Sequence, residues 1–311
     1  MHAIFHLTHK NNTAPHDRKK EFGYLCGIIS GIAYGLNPLF GLPLLNEYHL
    51  SLDTVLFYRY VLAAVVLASF LGIRRRFVPI TIAQGGTLGC LGILFALSSL
   101  FLFAAYKYIP SGISTTIVFL YPVLVALIMV ILKEYPTWQK WVAIGTTFVG
   151  VILLCQPSPG ASYHWLGFLF SFLSAFVYAI FIVIINKNKS IEKIPAAVLS
   201  LYTLITGCII FLIHSIPEGI SWIPDMRAFF LLLGLGLMPT LVSMAALSFA
   251  TRTVGATTAS VLGVLEPLTA IGIGVLIFDE GISLSIIIGA CLTIGAIVFM
   301  TITDHTKPKN T

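Results

Sequence analysis

The sequence predicts an all-α integral membrane protein with ten transmembrane helices, arranged as two inverted five-helix repeats with both termini in the cytoplasm. Three observations predict this fold: an apolar composition, basic residues in alternate loops, and matches between the two halves of the chain. Of the 311 residues, 58% are hydrophobic and only 10% are charged, whereas a soluble domain has about 25% charged residues. The composition therefore places most of the chain in lipid.

Apolar runs separated by proline, glycine and charged residues define the ten predicted segments. The segments lie near 23–44, 54–72, 84–106, 111–132, 138–154, 165–185, 196–216, 228–250, 254–278 and 284–302. Because a hydrocarbon core about 30 Å thick needs about 20 helical residues, these segments use most of the chain. Little remains for a soluble domain.

The basic residues alternate between successive loops. Fifteen Lys and Arg lie in the loops of one predicted side, only Lys107 and Arg227 lie in the opposite loops, and Arg59 lies inside the second segment. Short basic loops stay in the cytoplasm, so the polar tails 1–21 and 304–311 are predicted to be cytoplasmic. The aromatic ring of Tyr106, at a predicted segment end, is expected at the membrane interface. We expect the chain in a bacterial inner membrane.

The two halves match at a nearly constant offset. Tyr121-Pro122 falls on Glu266-Pro267 at an offset of 145 residues. Near the start of each half the offset is 144, and the matched residues are Gly23 and Gly167, Ser30 and Ser174, and Tyr34 and Tyr178. Since five helices per unit is an odd number, the second copy must be inverted. This predicts repeats over 22–155 and 163–303, with a substrate site near the bilayer centre where they meet.

The segments that end the two halves carry a family resemblance. Leu120-Tyr-Pro-Val-Leu-Val-Ala through Glu134, and Leu265-Glu-Pro-Leu-Thr-Ala through Asp279-Glu280, resemble EamA-type permeases of the drug/metabolite transporter superfamily. Arg59 and the stretch 289–295 also resemble this family, and the resemblance covers about residues 22 to 302. It implies export of amino acids, metabolites or drugs, although uptake and facilitated exchange occur among relatives. Tyr121 stands where the second half has Glu266, so no charged role is assigned to it.

Glu266 is the one acidic residue deep inside a predicted segment. It lies about 18 Å from the cytoplasmic end of the ninth helix. An ionisable group at this depth faces the bundle interior or a water-filled cavity. Two interpretations stay open: Glu266 binds substrate or a proton, or it is a structural pin that bonds to an opposing helix around the backbone freed by Pro267.

Three prolines are predicted to break helices. Pro122 and Pro267 each lie about halfway along a segment and each remove one backbone hydrogen bond. Their matched positions favour two helix breaks at one depth beside the site, although neighbouring helices often satisfy such breaks without a functional role. Pro239 has no counterpart in the third segment, which indicates local packing or a one-sided gate.

Arg59 is predicted about 9 Å below the extracellular end of the second segment. Its long side chain could extend to the lipid headgroups. The resemblance instead favours an anion-binding or gating charge. The sequence does not establish a pairing with Glu266.

The other candidates are polar or aromatic side chains within the segments. Repeat symmetry or proximity to a proline selects Tyr34, Tyr121 and Tyr178; the further candidates are Asn37, Ser98 and Ser243. The alternative for each is an interhelical hydrogen bond. A stripe of small residues in the third segment, formed by Gly85, Gly89, Gly92 and Ala96, predicts close helix contact.

The leading functional hypothesis is a secondary transporter, acting as an exporter of a small organic solute by alternating access around the midplane site. Facilitative exchange and uptake remain alternatives, as does participation of protons. A metal-ion carrier should hold several acidic or histidine residues within its segments, and a membrane-embedded enzyme should show a catalytic cluster; neither pattern occurs. We expect no metal, no cofactor and no nucleic-acid partner. Pairing of two copies is left open.

Overall fold

The computed structural model describes residues 15–75, 78–109, 111–154, 164–217, 219–277 and 284–305, and all regular structure in these residues is helical. The tails 1–14 and 306–311, together with Asp279 and Glu280, lie outside the described residues. In the first half the helices are α1 (Pro15–Gly35), α2 (Asn37–Asn46), α3 (Leu52–Ile73), α4 (Ile82–Ala105), α5 (Ser111–Val118), α6 (Tyr121–Ile131) and α7 (Trp138–Leu154).

The second half contains helices at the corresponding positions. They are α8 (Trp165–Lys187), α9 (Ala196–His214), α10 (Met226–Leu235), a π-helical turn (Gly236–Val242), α11 (Ser243–Val254), α12 (Ala256–Leu262), α13 (Leu265–Ile277) and α14 (Leu284–His305), with a short 3-10 turn at Lys189–Ile191. Helix α1 begins within the predicted tail 1–21, because the polar residues before Phe22 continue the helix towards the N-terminus.

Six stretches are long and apolar enough to cross a membrane. They are Lys19–Asn46, Leu52–Ile73, Ile82–Ala105, Trp165–Lys187, Ala196–His214 and Met226–Val254. The other four predicted segments contain α5–α6, α7, α12–α13 and α14, and the shorter apolar stretches Tyr121–Ile131 and Ile287–Ala296 lie in two of them. The all-helical, multi-pass class is therefore shown, while crossing by the four remaining segments stays a prediction.

Four of the ten predicted segments are interrupted. Helices α5 and α6 are separated at residues 119–120, α12 and α13 at residues 263–264, and α10 and α11 by the π-helical turn that contains Pro239. Pro122 lies in the first turn of α6, where its missing N–H leaves no internal helical bond unmade. The first segment also breaks, at Leu36, just before Pro38, and the analysis of the sequence had not selected that position.

The same serine contact occurs twice between helices. Ser30 of α1 donates to the carbonyl oxygen of Ser243 in α11 at 2.9 Å, and the two hydroxyl oxygens are 3.1 Å apart. Ser174 of α8 donates to the carbonyl oxygen of Ser98 in α4 at 2.8 Å, again with 3.1 Å between the hydroxyl oxygens. At the offsets found in the sequence, Ser30 corresponds to Ser174 and Ser98 corresponds to Ser243.

We expect Ser98→Ala and Ser243→Ala to lower the thermal stability of the purified protein slightly and to similar extents. Each change removes one hydroxyl from an equivalent buried pair, and such hydrogen bonds in membrane proteins average about 0.6 kcal/mol. Thermal unfolding in detergent measures the effect, with the exposed Ser190→Ala as the control. A strong loss in one variant beside no loss in the other would show that the two contacts are not equivalent.

A face of glycines brings α1 close to its neighbours in the second half. Gly23, Gly27, Gly31 and Gly35 recur at every fourth position, and a Cβ atom on each would press against Thr253, Leu262, Leu265 and the carbonyl oxygen of Glu266, respectively. Such spacing lets membrane helices approach closely.

The glycine stripe predicted in the third segment is only partly a contact surface. A Cβ on Gly92 would lie 2.9 Å from the carbonyl oxygen of Thr203, but nothing lies within 4 Å of a Cβ on Gly89. The buried face of α4 passes through Leu88, Gly92 and Phe95, and Gly89 lies beside this face. The prediction of close contact along the whole stripe is therefore wrong.

Candidate functional site

Glu266 lies in the first turn of α13, directly after the break at residues 263–264, and only 6% of its surface is exposed. Four tyrosines are within electrostatic range of its carboxyl group: Tyr34, Tyr106, Tyr121 and Tyr178. We call Glu266 and these tyrosines the acidic site. The ring of Tyr178 stacks on Tyr34, with 5.9 Å between ring centroids, and meets the ring of Tyr121 edge-on at 5.0 Å.

The acidic site combines residues that are equivalent in the two halves. Tyr34 of α1 corresponds to Tyr178 of α8, and Tyr121 of α6 corresponds to Glu266 of α13 at the offsets of the sequence. Each half thus supplies one member of each pair. Tyr106, at the end of α4, also approaches Glu266. Its place at a segment end predicts the membrane interface, but position along the chain does not reveal how a ring turns.

The two proline-linked breaks meet at this site. The hydroxyl of Tyr121 donates to the carbonyl oxygen of Ser260 at 3.1 Å, in the last turn of α12. A Cβ atom on Gly263 would collide with that hydroxyl, so the glycine makes room for the contact. The breaks in α5–α6 and α12–α13 are therefore joined by a direct hydrogen bond.

The carboxyl group of Glu266 has no ionic partner among the described residues. The ion pairs recorded there join Lys187 to Glu134, Arg227 to Glu47 and His214 to Asp53. No side-chain hydrogen bond to Glu266 accompanies them in the described part of the chain. Since a buried charge is costly unless it is paired, this carboxyl group is suited to binding a proton or a cationic group.

Arg59 of α3 is fully buried. Its Nε donates to the hydroxyl of Thr240, and that hydroxyl donates to the carbonyl oxygen of Leu235 at 2.8 Å. Pro239 has no N–H with which to bond this carbonyl group, so Thr240 replaces the missing donor. The guanidinium carbon of Arg59 also lies 5.6 Å from the centre of the Phe103 ring.

Extension of Arg59 to the lipid headgroups is therefore wrong, because the side chain turns towards the π-helical turn and the interior of the bundle. A direct pairing with Glu266 is not formed either, since Nη1 and Nη2 of Arg59 have no hydrogen-bond partner among the residues that the structure describes. Asn37, at the start of α2, is 2% exposed, and neither its amide nitrogen nor its amide oxygen has a partner.

Ser98 and Ser243 lie close to the acidic site but bond within the serine pairs. Ser30 and Ser174, their partners, are each one helical turn before Tyr34 and Tyr178. The structure therefore uses these hydroxyls for contact between helices at the edge of the site.

A cavity of about 520 Å³ opens at the end of the molecule that the basic loops predict to be cytoplasmic. It is lined by Met129, Glu134, Tyr135, Pro136, Lys140, Asn186, Lys187, Gly255, Ala256 and Thr257. Ala256, the first residue of α12, lies ten residues before Glu266, with the break at residues 263–264 between them. The sequence does not reveal this cavity, because a cavity between distant segments leaves no local pattern.

The opposite end of the bundle is joined by side chains from two loops. Glu47 pairs with Arg227 at 3.1 Å, Asp53 contacts His214 at 2.9 Å, and the hydroxyl of Tyr48 donates to a carboxylate oxygen of Asp225 at 3.0 Å. These contacts join residues 47–53, between α2 and the first turn of α3, to residues 214–227, between the end of α9 and the first turn of α10. They lie at the end that the sequence predicts to be extracellular.

The apolar helices break next to matched prolines, and a buried acid lies beside these breaks. This arrangement is typical of integral membrane transporters. The model of the EamA-like transporter family matches residues 21–156 and, a second time, residues 165–302. The chain belongs to the EamA-like transporter family.

Two bacterial relatives carry transporter names. The uncharacterized transporter sll1319 of Synechocystis sp. (strain ATCC 27184 / PCC 6803 / Kazusa) is 26% identical over 68% of this chain and 65% of its own length. The uncharacterized transporter YdfC of Bacillus subtilis (strain 168) is 27% identical over 68% of this chain and 69% of its own length. The match thus spans about two thirds of each relative.

A solved crystal structure of another protein has the same fold. It superposes with a TM-score of 0.76 and covers 90% of this chain and 98% of that chain, at 15% sequence identity. This likeness shows the fold alone, while the family match shows a multi-pass membrane transporter.

Proposed function

We propose that this protein is a secondary transporter that exports a small organic solute, such as an amino acid, metabolite or drug, across the bacterial inner membrane. The transport cycle is alternating access around the acidic site, with Glu266 taking up a proton or a cationic group of the solute. One observation carries the proposal: Glu266 is buried without an ionic partner, among side chains that the two halves contribute from equivalent positions.

Several contacts support ten crossing helices in two inverted repeats with both termini in the cytoplasm. The family model matches the chain twice, and the serine contact recurs at the equivalent place. In the part of the chain that the structure describes, the recorded contacts between loop regions join regions that share a predicted side. Gln84 donates to the carbonyl oxygen of Ser190 at one end, and Glu47 pairs with Arg227 at the other.

The two ends differ in a way that supports loading from the cytoplasm. The predicted extracellular end is joined by the contacts of Glu47, Tyr48 and Asp53 with residues 214–227. The other end contains the cavity of about 520 Å³, which is large enough for a small solute. Movement of the two repeats relative to each other would then exchange the open and closed ends around the acidic site.

The test is a metabolite comparison of cells that lack the protein with cells that overproduce it, measured inside and outside the cell. We expect at least one small organic solute to accumulate in the medium on overproduction, and this accumulation to disappear in cells that overproduce Glu266→Gln at the same level in the membrane. Accumulation of the solute inside the overproducing cells would instead indicate uptake and contradict export. An unchanged solute pool in every comparison would count against transport.

A further inference from the structure

We propose that residues 219–227 form a strap over the end of the bundle that the sequence predicts to be extracellular, and that protonation of His214 from that side tightens the strap. Acid outside the cell then slows the opening of this end and the release of solute. The inference rests on the proposed transport function and adds a control by pH to its cycle. It starts from polar contacts that converge on one short segment.

Side chains between α2 and the second turn of α3 hold the strap. The hydroxyl of Thr54 accepts a hydrogen bond from the backbone N–H of Ser221 at 3.2 Å, and the hydroxyl of Tyr58 donates to the carbonyl oxygen of Ser221 at 3.3 Å. The contacts of Tyr48 and Glu47, described above, hold the part of the strap nearest α10. Residues 219–225 form no regular secondary structure, so few backbone bonds of their own oppose opening.

The strap is connected with the acidic site through α3. Tyr58 holds Ser221, and the next residue, Arg59, turns inwards and lies within electrostatic range of Tyr34 in the acidic site. Because alternating access requires this end to open, the contacts of the strap must break in each cycle. The strength of these contacts therefore influences how often the acidic site reaches the outside.

His214 closes the same end beside the strap. It is the last residue of α9, and its Nδ1 lies 2.9 Å from Oδ1 of Asp53 in the first turn of α3. The side chain of Asp53 is 11% exposed, whereas that of His214 is 55% exposed and can take up a proton from solvent. Thr54, which holds Ser221, directly follows Asp53. The histidine contact and the strap thus share one helical turn.

The strength of the contact between His214 and Asp53 depends on the charge of the imidazole. Imidazole side chains change charge between about pH 5 and pH 8. A neutral ring can donate its Nδ1–H to the carboxylate, and a protonated ring adds a positive charge to the same hydrogen bond. A positive charge is also favourable in the last turn of a helix. Acid therefore strengthens the contact and favours the joined end, and the added strength is lost as the pH rises.

Other titratable groups lie at this end, namely Glu47, Tyr48, His49, Lys107, Tyr108, His164, Asp225 and Arg227, while Glu218 lies outside the described residues. Partial burial and the hydrogen bond to Asp225 raise the pKa of Tyr48, so this phenol stays neutral. Helices α3, α4 and α11 pack against α9. Among the described residues of these helices, Asp53 is the one charged side chain recorded against His214. The acid effect is therefore assigned to this pair.

The experiment measures hydrogen exchange of the strap amides, including that of Ser221, in the full-length protein in nanodiscs. Wild type and His214→Asn are compared at about pH 5.5 and about pH 7.5, on either side of the range in which imidazole changes charge. At the lower pH the wild-type strap should exchange about two- to fivefold more slowly than that of the variant, the range of a solvent-exposed ion pair. At the higher pH the two proteins should agree, because asparagine keeps a hydrogen-bond donor but gains no charge.

The matched control is His49→Asn, which removes an exposed imidazole from the same end of the bundle. Asparagine tolerates the φ of 49° at this position, and the strap should exchange as in the wild type at both pH values. Asp53→Asn should remove the acid effect as His214→Asn does; if Asp53→Asn folds poorly, His214→Asn decides alone. Equal exchange of wild type and His214→Asn at the lower pH would overturn the inference. A difference of the same size at both pH values would show a structural contact without a response to acid, which also overturns it.

Hydrogen exchange and transport separate this inference from the proposed function. An acid effect on the strap that depends on His214, without movement of any solute in proteoliposomes, would overturn the transport proposal and leave the pH response intact. Transport that depends on Glu266, but slows equally in wild type and His214→Asn when the medium is acidified, would overturn the role of His214 alone.

Discussion

Glu266→Gln is expected to reduce transport by at least about tenfold in proteoliposomes, or to make it insensitive to a pH gradient, while the protein folds normally. Glutamine has nearly the same shape and can still form hydrogen bonds, but it can neither carry a negative charge nor release a proton. Loss of a charged hydrogen bond to a solute or proton carrier lowers the affinity by about 10- to 100-fold. The structural-pin interpretation predicts the opposite, because an amide can replace a carboxyl group in a hydrogen bond.

The assay for this variant uses purified protein and a solute found in the metabolite comparison, with an imposed pH gradient of either direction. Glu192→Gln is the matched control, since Glu192 is an exposed acid beyond α8 and should transport at the wild-type rate. Unfolding midpoints of all three proteins establish that they are equally folded. If Glu266→Gln kept full activity that still responded to the pH gradient, Glu266 would have no role in coupling.

Gly35→Ala is expected to destabilise the bundle and to impair transport, although it adds only one methyl group. Its Cβ would lie 2.5 Å from the carbonyl oxygen of Glu266 and 2.7 Å from the Cβ of Thr269, both shorter than van der Waals contact. A backbone oxygen cannot turn aside as a flexible side chain can, so α1 and α13 must separate. Overpacking of this kind costs about 1–3 kcal/mol, and here it also displaces the residue that bears the acidic group.

The comparison for Gly35→Ala is Gly89→Ala, because nothing lies within 4 Å of a Cβ at Gly89. That change should be neutral or slightly stabilising, since alanine favours a helix by about 1 kcal/mol over glycine. Yield of monodisperse protein and the midpoint of thermal unfolding report the difference. Equal behaviour of the two alanine variants would argue against the close approach of α1 to α13.

Some features of the site were predictable because their signals are local. Glu266 stands out as one acid in a long apolar run, and Pro122 and Pro267 mark the places where new helices begin, because proline is tolerated in a first turn but not in a helix interior. Tyr34, Tyr121 and Tyr178 were selected by repeat offset or by position, and the structure brings all three to Glu266.

Other features depended on which helices meet. The contact of Arg59 with Thr240 joins residues 181 positions apart, and neither residue shows from the sequence that Pro239 leaves a carbonyl group for Thr240 to satisfy. The glycine face of α1 had a visible spacing, but its partners lie in α11, α12 and α13. Pro38, which follows the break at Leu36, was also visible in the sequence. Because α8 has no matching proline, the comparison of the two halves did not select this position.

The sequence by itself determined the membrane class, the family resemblance, the positions of the helices and the isolated acid, because apolar length, charge and proline act within a few residues of the chain. Only the tertiary structure decided which side chains surround Glu266, that Arg59 faces inwards with two unpaired nitrogens, and that a cavity lies at one end. These features arise from packing between helices far apart in sequence, where the direction of a side chain depends on its neighbours.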